Sequence, residues 1–193
     1  MNNLLNILES LGEDFEDSFV VADINQEDMP LVYINSAFVS LTGYSKEEIL
    51  GLNCRFLQGP TTNKEAVKNL RESIRNKESC YVDLLNHKKD GSVFWNRLVL
   101  FTVGYSAENP RYYVGIQQKV SDDSKVKSDF DSNVKDKEII HNVVNPFDKI
   151  LSAKRSMNYL SLESPDLQQD QMIEMTKEIA LEVQKINKYI KSQ

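Results

Sequence analysis

All seven glycines of this 193-residue chain fall before residue 116, and none follows. Glycine is the residue that supplies left-handed turns and close backbone approaches. A stretch without it, dominated by charges and helix formers, is left with helices joined by few breaks. From Ser121 to Gln193 the chain is therefore read as helical. The glycine-bearing part, residues 18–120, has to hold the turns and strands. A short segment, residues 1–17, precedes both. Its Leu4, Leu5, Leu8 and Leu11 form one helical stripe, the mark of an amphipathic cap helix.

Composition narrows the class. A net charge of -6 argues against a nucleic-acid partner. No apolar run is long enough to cross a bilayer, and "MNNLLNILES" has neither the basic start nor the cleavage site of a signal peptide. Two cysteines, Cys54 and Cys80, without a secretion signal suit free thiols in a cytoplasmic protein. Two histidines and two cysteines, scattered without ligand spacing, predict no metal site.

Within residues 18–120 the pattern runs β-β-α-α-α-α-β-β-β. "SFVVADI" and "LVYIN" are strand-like. Three short helical pieces follow, one opened by a capping box at Ser45 and Glu48, and then a longer helix, "NKEAVKNLRESIRNKE", with Val67, Leu70 and Ile74 on its buried face. Asp90-Gly91 marks a hairpin between "SCYVDLLNH" and "SVFWNRLVLFTV", a further turn falls at "AENP", and "RYYVGIQQKV" is the last strand. This is an α+β pattern.

In the C-terminal part, "KEIIHNVVNPFDKIL" and "MIEMTKEIALEVQKINKYI" are both amphipathic, separated by the turn-like "SLESPDL". Met172, Thr176, Ile179, Val183, Ile186 and Ile190 step by four and three, a heptad-like seam. With Ile140, Val143, Phe147 and Ile150, the apolar stripe is too large to leave in water. The expectation is a helical hairpin that pairs with a second copy as a dimeric four-helix bundle.

Candidate site residues cluster in "GLNCRFLQGP" and the strands after it. If Cys54 lies on a short helix, Leu57 and Gln58 share its face. Arg71 and Arg75 stand one turn apart on the next helix, with Arg55 as a third cation. Asn86 and Asn96 are each about five residues from the hairpin turn, nearly opposite, and on one face. Gln117 alternates with Gly115 and Tyr113. Taken singly, each has an ordinary use: the thiol as a small core side chain, the arginines as solvated charges, the amides beside turns. Together they describe one pocket. Amides both donate and accept, arginines suit a phosphate, and Leu57, Val67, Ile74 and Leu98 offer aliphatic walls to a flat ring. Flavin mononucleotide (FMN) meets all three demands.

Here the chain resembles a known family. "Asn53-Cys54-Arg55-Phe56-Leu57-Gln58", with "YINSAFVSLTGYSKEEILG" before it and "LNHKKDGSVFWNRL" and "YYVGIQ" after it, resembles the light-oxygen-voltage (LOV) blue-light sensors of the PAS superfamily. The resemblance implies a five-stranded antiparallel sheet with flanking helices. It implies that Cys54 forms a reversible adduct with flavin carbon C4a. Asn53 and Gln58 would be flavin contacts, Arg55, Arg71 and Arg75 phosphate ligands, Asn86 and Asn96 the holders of the pyrimidine edge. Gln117 would sense protonation of flavin N5 and relay it along the last strand, which is expected to run straight into the helical part at Ser121. "Ala22-Asp23-Ile24-Asn25" departs from the family's usual first strand. A flavin-free PAS interaction module is the alternative.

"His141-Asn142-Val143-Val144-Asn145-Pro146-Phe147" resembles the phosphoacceptor box of sensor histidine kinases, and the hairpin resembles their dimerisation and phosphotransfer domain. The usual acidic neighbour of the histidine is Asn142 here, and the 193 residues contain no glycine-rich nucleotide box. His141 is thus either a surface histidine of a structural bundle or a phosphoacceptor served in trans by a histidine kinase or response regulator. A sensor rather than an enzyme is expected. His87, beside the turn, is expected in solvent.

Overall fold

The computed structural model describes residues 4–106, 109–121, 138, 140–163 and 169–192. The chain runs through α1 (Leu4–Gly12), β1 (Ser18–Asp23), β2 (Leu31–Ile34), α2 (Ser36–Thr42), α3 (Lys46–Ile49) and a single 3₁₀ turn (Cys54–Leu57). It continues with α4 (Lys64–Asn76), β3 (Cys80–His87), β4 (Val93–Ser106), β5 (Asn109–Lys119), a π-helical turn (Ile140–Val144), α5 (Asn145–Glu163) and α6 (Gln169–Ser192). The expected turns at "AENP" and "SLESPDL", the direct passage from the last strand into a helix, and the side chains of Ile140 and Met172 lie wholly or partly outside the described residues.

The five strands form one antiparallel sheet in the order β2-β1-β5-β4-β3. Strands from the two ends of the sensor part meet at its centre, where Val20 of β1 faces Gly115 of β5. Local chemistry sets the helix ends. Gly43 closes α2 at φ 79°. Asn63 caps α4 by accepting the amides of Glu65 and Ala66. Glu48 accepts the Ser45 amide at 2.9 Å, completing the capping box read from the sequence. Buried Asn35 ties the first elements together. Its Oδ1 accepts the amides of Phe19 and Phe38, and its Nδ2 donates to the carbonyls of Gly12 and Asp17.

The turn at Asp90-Gly91 differs from a two-residue hairpin. Lys88 N–H bonds to Ser92 O (2.8 Å), Asp90 Oδ1 accepts the Ser92 amide (2.9 Å), and Gly91 takes φ 82°. His87 consequently pairs with Val93, Asn86 with Phe94 and Leu84 with Asn96. The two asparagines are diagonal neighbours two residues out of register, rather than opposite each other. Diagonal side chains still share a face and stay within reach.

The sheet has two apolar faces. One, with Val82, Leu84, Leu98 and Leu100, looks toward α4. The other, with Val99, Phe101, Val103, Tyr112, Val114 and Ile116, is covered by α1 and the C-terminal hairpin. Leu4, Leu8 and Leu11 of α1 are buried there, as the N-terminal stripe predicted. The hairpin's Val143, Phe147, Ile150, Ile179, Val183, Ile186 and Ile190 are buried in the same cluster. The seam expected to face a second copy is thus buried within the chain, between the two hairpin helices and in one cluster with the sheet's outer face. The physical reason is that the sheet's outer face is itself too apolar for water, so two incomplete surfaces complete each other within one chain. Phe147 is the wedge. Its ring is stacked 6.2 Å from Phe19 and lies edge-on 4.9 Å from Phe101. Polar contacts border the apolar layer: Lys154–Asp14 (3.0 Å), Lys191–Glu16 (2.9 Å), and Arg155 Nη2 donating to Gly104 O (3.1 Å).

Candidate flavin site

Between the inner sheet face, α4 and the 3₁₀ turn lies a cavity of about 360 Å³, within the usual range for small-molecule sites. Its apolar wall comes from Val20 and Ala22 of β1, Leu31 of β2, Leu70 and Ile74 of α4, Leu84 of β3, and Leu98 and Leu100 of β4. Gly115 leaves the floor open: a Cβ there would come within 2.9 Å of the Val20 side chain and about 3.5 Å from Leu98. Tyr113 fastens β5 to α4 by donating to Ile74 O (3.1 Å).

Cys54 opens the 3₁₀ turn and lines this cavity. Burial pushes its thiol up to about 12, against the opposing pull of a hydrogen bond with Gln117. At neutral pH the sulfur therefore carries its proton. Asn53 caps the turn by accepting the Arg55 amide (3.0 Å), and Gln58 follows it with an extended backbone. Gln58 reaches the cavity from that extended position rather than from a shared α-helical face. Leu57 and Val67 are not on the cavity wall. Leu57 packs with Val20, Leu31, Ile34, Phe38 and Ile49, and Val67 with Leu70, Cys80, Val82 and Leu84. The short turn and the pitch of α4 direct both side chains into the apolar core behind the wall.

Three amides meet at the base of the cavity. Asn96 Nδ2 donates to Asn86 Oδ1 and to Gln117 Oε1, each at 2.8 Å. All three residues are buried. Asn96 Oδ1 is buried without a hydrogen-bond partner, an acceptor that a ligand N–H facing the cavity would satisfy. Arg71 and Arg75 stand exposed on the rim, and among the described residues neither is in an ion pair. Arg55 also lines the cavity, but its Nη1 is held by Asp28 at 2.5 and 2.6 Å. The donor set therefore fits a flat ring with an imide-like edge and an anionic tail. Met29, Val20 and Ala22 were missed as wall residues. The period of two along β1 was the signal for Val20 and Ala22; Met29 depends on a long-range loop and had none.

His87 is not solvated as expected. Its ring occupies the space over Gly59, where a Cβ would stand 2.4 Å away, and its Nε2 lies 3.2 Å from Thr61 Oγ1. His141 is exposed on the π-helical turn. Asn142 beside it donates to Glu138 O (2.9 Å). The wide turn comes just before Pro146, whose missing N–H already breaks the α-helical ladder. Among the described residues no group of three or more His, Cys, Asp or Glu side chains could hold a metal ion, and no helix is long and apolar enough to cross a membrane.

Comparison with known proteins agrees with the geometry. A PAS-domain family model matches residues 16–122, more than half of the chain. A blue-light-activated histidine kinase 2 from Erythrobacter litoralis is 46% identical over 100 residues, 52% of this chain and 29% of that protein. The solved LOV domain of a blue-light-activated histidine kinase from the same organism is 43% identical at TM-score 0.53, covering 55% of this chain and 97% of that one. A longer structure of that kinase is 32% identical at TM-score 0.58, covering 75% of this chain and 44% of that one. The chain thus spans between about a third and less than half of the longer kinases it matches. Fold, motif and relatives together place the chain in the PAS-domain family, in its light-oxygen-voltage branch.

Proposed function

We propose that the protein is a blue-light photoreceptor that holds FMN in the cavity and uses the C-terminal hairpin as its output. The observation that carries this is the meeting of a protonated Cys54 thiol, three linked amides and two arginines that, among the described residues, are in no ion pair, all around one cavity. When bound, the flavin supplies blue-light absorption and the ring carbon, C4a, to which the Cys54 sulfur bonds reversibly. Arg71 and Arg75 bind the phosphate. Asn86 and Asn96 hold the pyrimidine edge, with Asn96 Oδ1 as acceptor. Cys54 would supply both the sulfur and its thiol proton, and Gln117, which contacts Cys54 and Asn96, would turn its amide to meet a protonated N5.

The output follows from alternation along β5. Gln117 faces the cavity while its neighbour Ile116 is buried in the cluster that holds Phe147. Rearranged hydrogen bonds at Gln117 thereby reach the hairpin through one strand. We further infer a homodimer through the C-terminal helices. In the docked chain the seam is already covered, so association falls to the outward face of α6, where Ile173 and Leu181 are exposed. Reduced thiols suit a cytoplasmic protein.

The test is an absorption spectrum of the purified protein before and after blue light. A yellow protein that bleaches and recovers in the dark supports the proposal. A colourless protein that takes up no flavin refutes it and leaves the flavin-free PAS interaction module.

A second reading rests on the exposure of His141 ahead of Asn145-Pro146. Light would tune phosphoryl transfer at His141, with a histidine kinase or response regulator acting in trans. Labelled ATP with a cognate kinase tests it: label on the wild type and none on His141→Gln supports the relay, and equal labelling of both refutes it.

A further inference from the structure

The loop before β2 carries two non-glycine residues in the left-handed region, Asp28 at φ 66° and Met29 at φ 48°. L-residues adopt this conformation at a cost, and it persists where neighbours over-determine it. Here the neighbours are the two residues that flank Cys54. Asn53 Nδ2 donates to the carbonyls of both Asp28 (2.5 Å) and Met29 (3.3 Å). Arg55 Nη1 donates to both carboxylate oxygens of Asp28 (2.5 and 2.6 Å). Met29 and Arg55 both line the cavity, together with Arg71 and Arg75. A strained loop is thus gripped by the cysteine motif at the edge of the ligand site.

We propose that Asp28 is a positioning residue that clasps this loop shut and sets how fast the flavin leaves, independently of its phosphate. The inference rests on the flavin reading of the cavity. The family resemblance implies Arg55 as a third phosphate ligand, yet its guanidinium is held by this carboxylate. Both Asp28 oxygens converge on one guanidinium nitrogen, so the pair fixes the loop through Arg55 while Arg71 and Arg75 remain the cations without a carboxylate. The clasp is exposed, with 49% of the Arg55 side chain and 58% of Asp28 in contact with solvent. Exposed pairs are worth little singly and are weakened by salt. The clasp is therefore a rate control that opens and closes readily.

Riboflavin, which lacks the phosphate, separates the clasp from the phosphate cradle. Apoprotein is loaded with riboflavin or FMN, and release is followed in the dark by the rise in free-flavin fluorescence. Asp28→Ala is expected to speed release of both flavins by a similar factor, about two- to five-fold for an exposed charge-assisted pair. Arg71→Ala with Arg75→Ala is expected to speed release of FMN by a much larger factor than release of riboflavin. In the wild type, raising the salt from about 0.05 M to about 1 M should also speed riboflavin release, which tests the clasp even if the Asp28 variant fails to fold. Riboflavin release unaltered by both Asp28→Ala and salt overturns the clasp while leaving flavin binding intact. A change confined to FMN overturns it too, by making Asp28 a modulator of the phosphate. Failure to take up either flavin overturns the flavin reading and the clasp together.

Discussion

In the proposed mechanism Cys54 has two roles that pull its environment in opposite directions. It faces a ligand, and it keeps its proton until that ligand is excited. Burial raises the thiol to about 12, so both the folded and the unfolded thiol are protonated below about pH 8.5. Above that, the unfolded thiol ionises and the folded one does not. The group therefore adds nothing to stability at neutral pH and subtracts from it as the pH rises from about 8.5 toward 12. Two outcomes are expected. The amplitude of light-driven bleaching should stay flat from pH 6 to about pH 10, where an ordinary thiol would have ionised; a loss centred near pH 8.5 would show an ordinary thiol. Cys54→Ala should retain the flavin, because the amides and arginines hold it, and lose reversible bleaching altogether. Asn96 is the second residue on which much depends. Asn96→Ala strands Asn86 Oδ1 and Gln117 Oε1 in a buried site. Each stranded group costs about 1–3 kcal/mol, so both thermal stability and flavin retention should fall. An unchanged melting temperature would mean that water replaces the amide.

At the scale of elements, the sequence was most informative where periodicity and turn chemistry act locally. The strand alternation along β5 put Gln117, Gly115 and Tyr113 on one face, and the cavity is lined by all three. The capping box at Ser45 and the stripe of α1 could be read because each lies within a few residues. What could not be read depends on geometry between elements. Asn86 and Asn96 are offset because the hairpin loop runs over five residues, from Lys88 to Ser92, which a dipeptide signal does not encode. Leu57 and Val67 sit in the core clusters rather than on the cavity wall, which depends on the pitch of a 3₁₀ turn and the setting of one helix. The hairpin's burial within its own chain was not legible for a related reason: an amphipathic stripe shows that a face is buried, not against what. Phe147 makes that face testable. It lies fully buried between Phe19 and Phe101, and truncating such a residue costs about 3–5 kcal/mol. Phe147→Ala should loosen the hairpin, seen as faster amide exchange in α5 and α6, while the flavin spectrum stays that of the wild type. A variant whose hairpin amides remain protected would remove Phe147 as the wedge.

At the scale of the whole molecule, two magnitudes decide what light can do. Eight hairpin side chains, from Val143 to Ile190, are buried in one cluster with the sheet and α1, partly between the two hairpin helices themselves. At about 1.5–3 kcal/mol each when fully buried, the gross stabilisation is on the order of 10–20 kcal/mol, reduced by the cost of ordering the helices. A reoriented amide at Gln117 changes one or two hydrogen bonds, about 0.5–1.5 kcal/mol apiece, in line with the 1–3 kcal/mol typical of coupling between sites. The signal is smaller than the interface. Blue light is therefore expected to shift the hairpin's balance of positions rather than release it. Amide exchange in α5 and α6 should speed up on illumination by about 5- to 150-fold, short of the rate of free helices. Sedimentation should give the same mass in the dark and under steady light. Cutting the chain after Val120 should act very differently, because it bares Phe101, Val103, Val114 and Ile116 at once. That truncated protein is expected to self-associate or aggregate. A soluble monomer after the cut, or a full-length chain that changes mass on illumination, would mean that the sheet's outer face is not held by the hairpin as strongly as its buried surface implies.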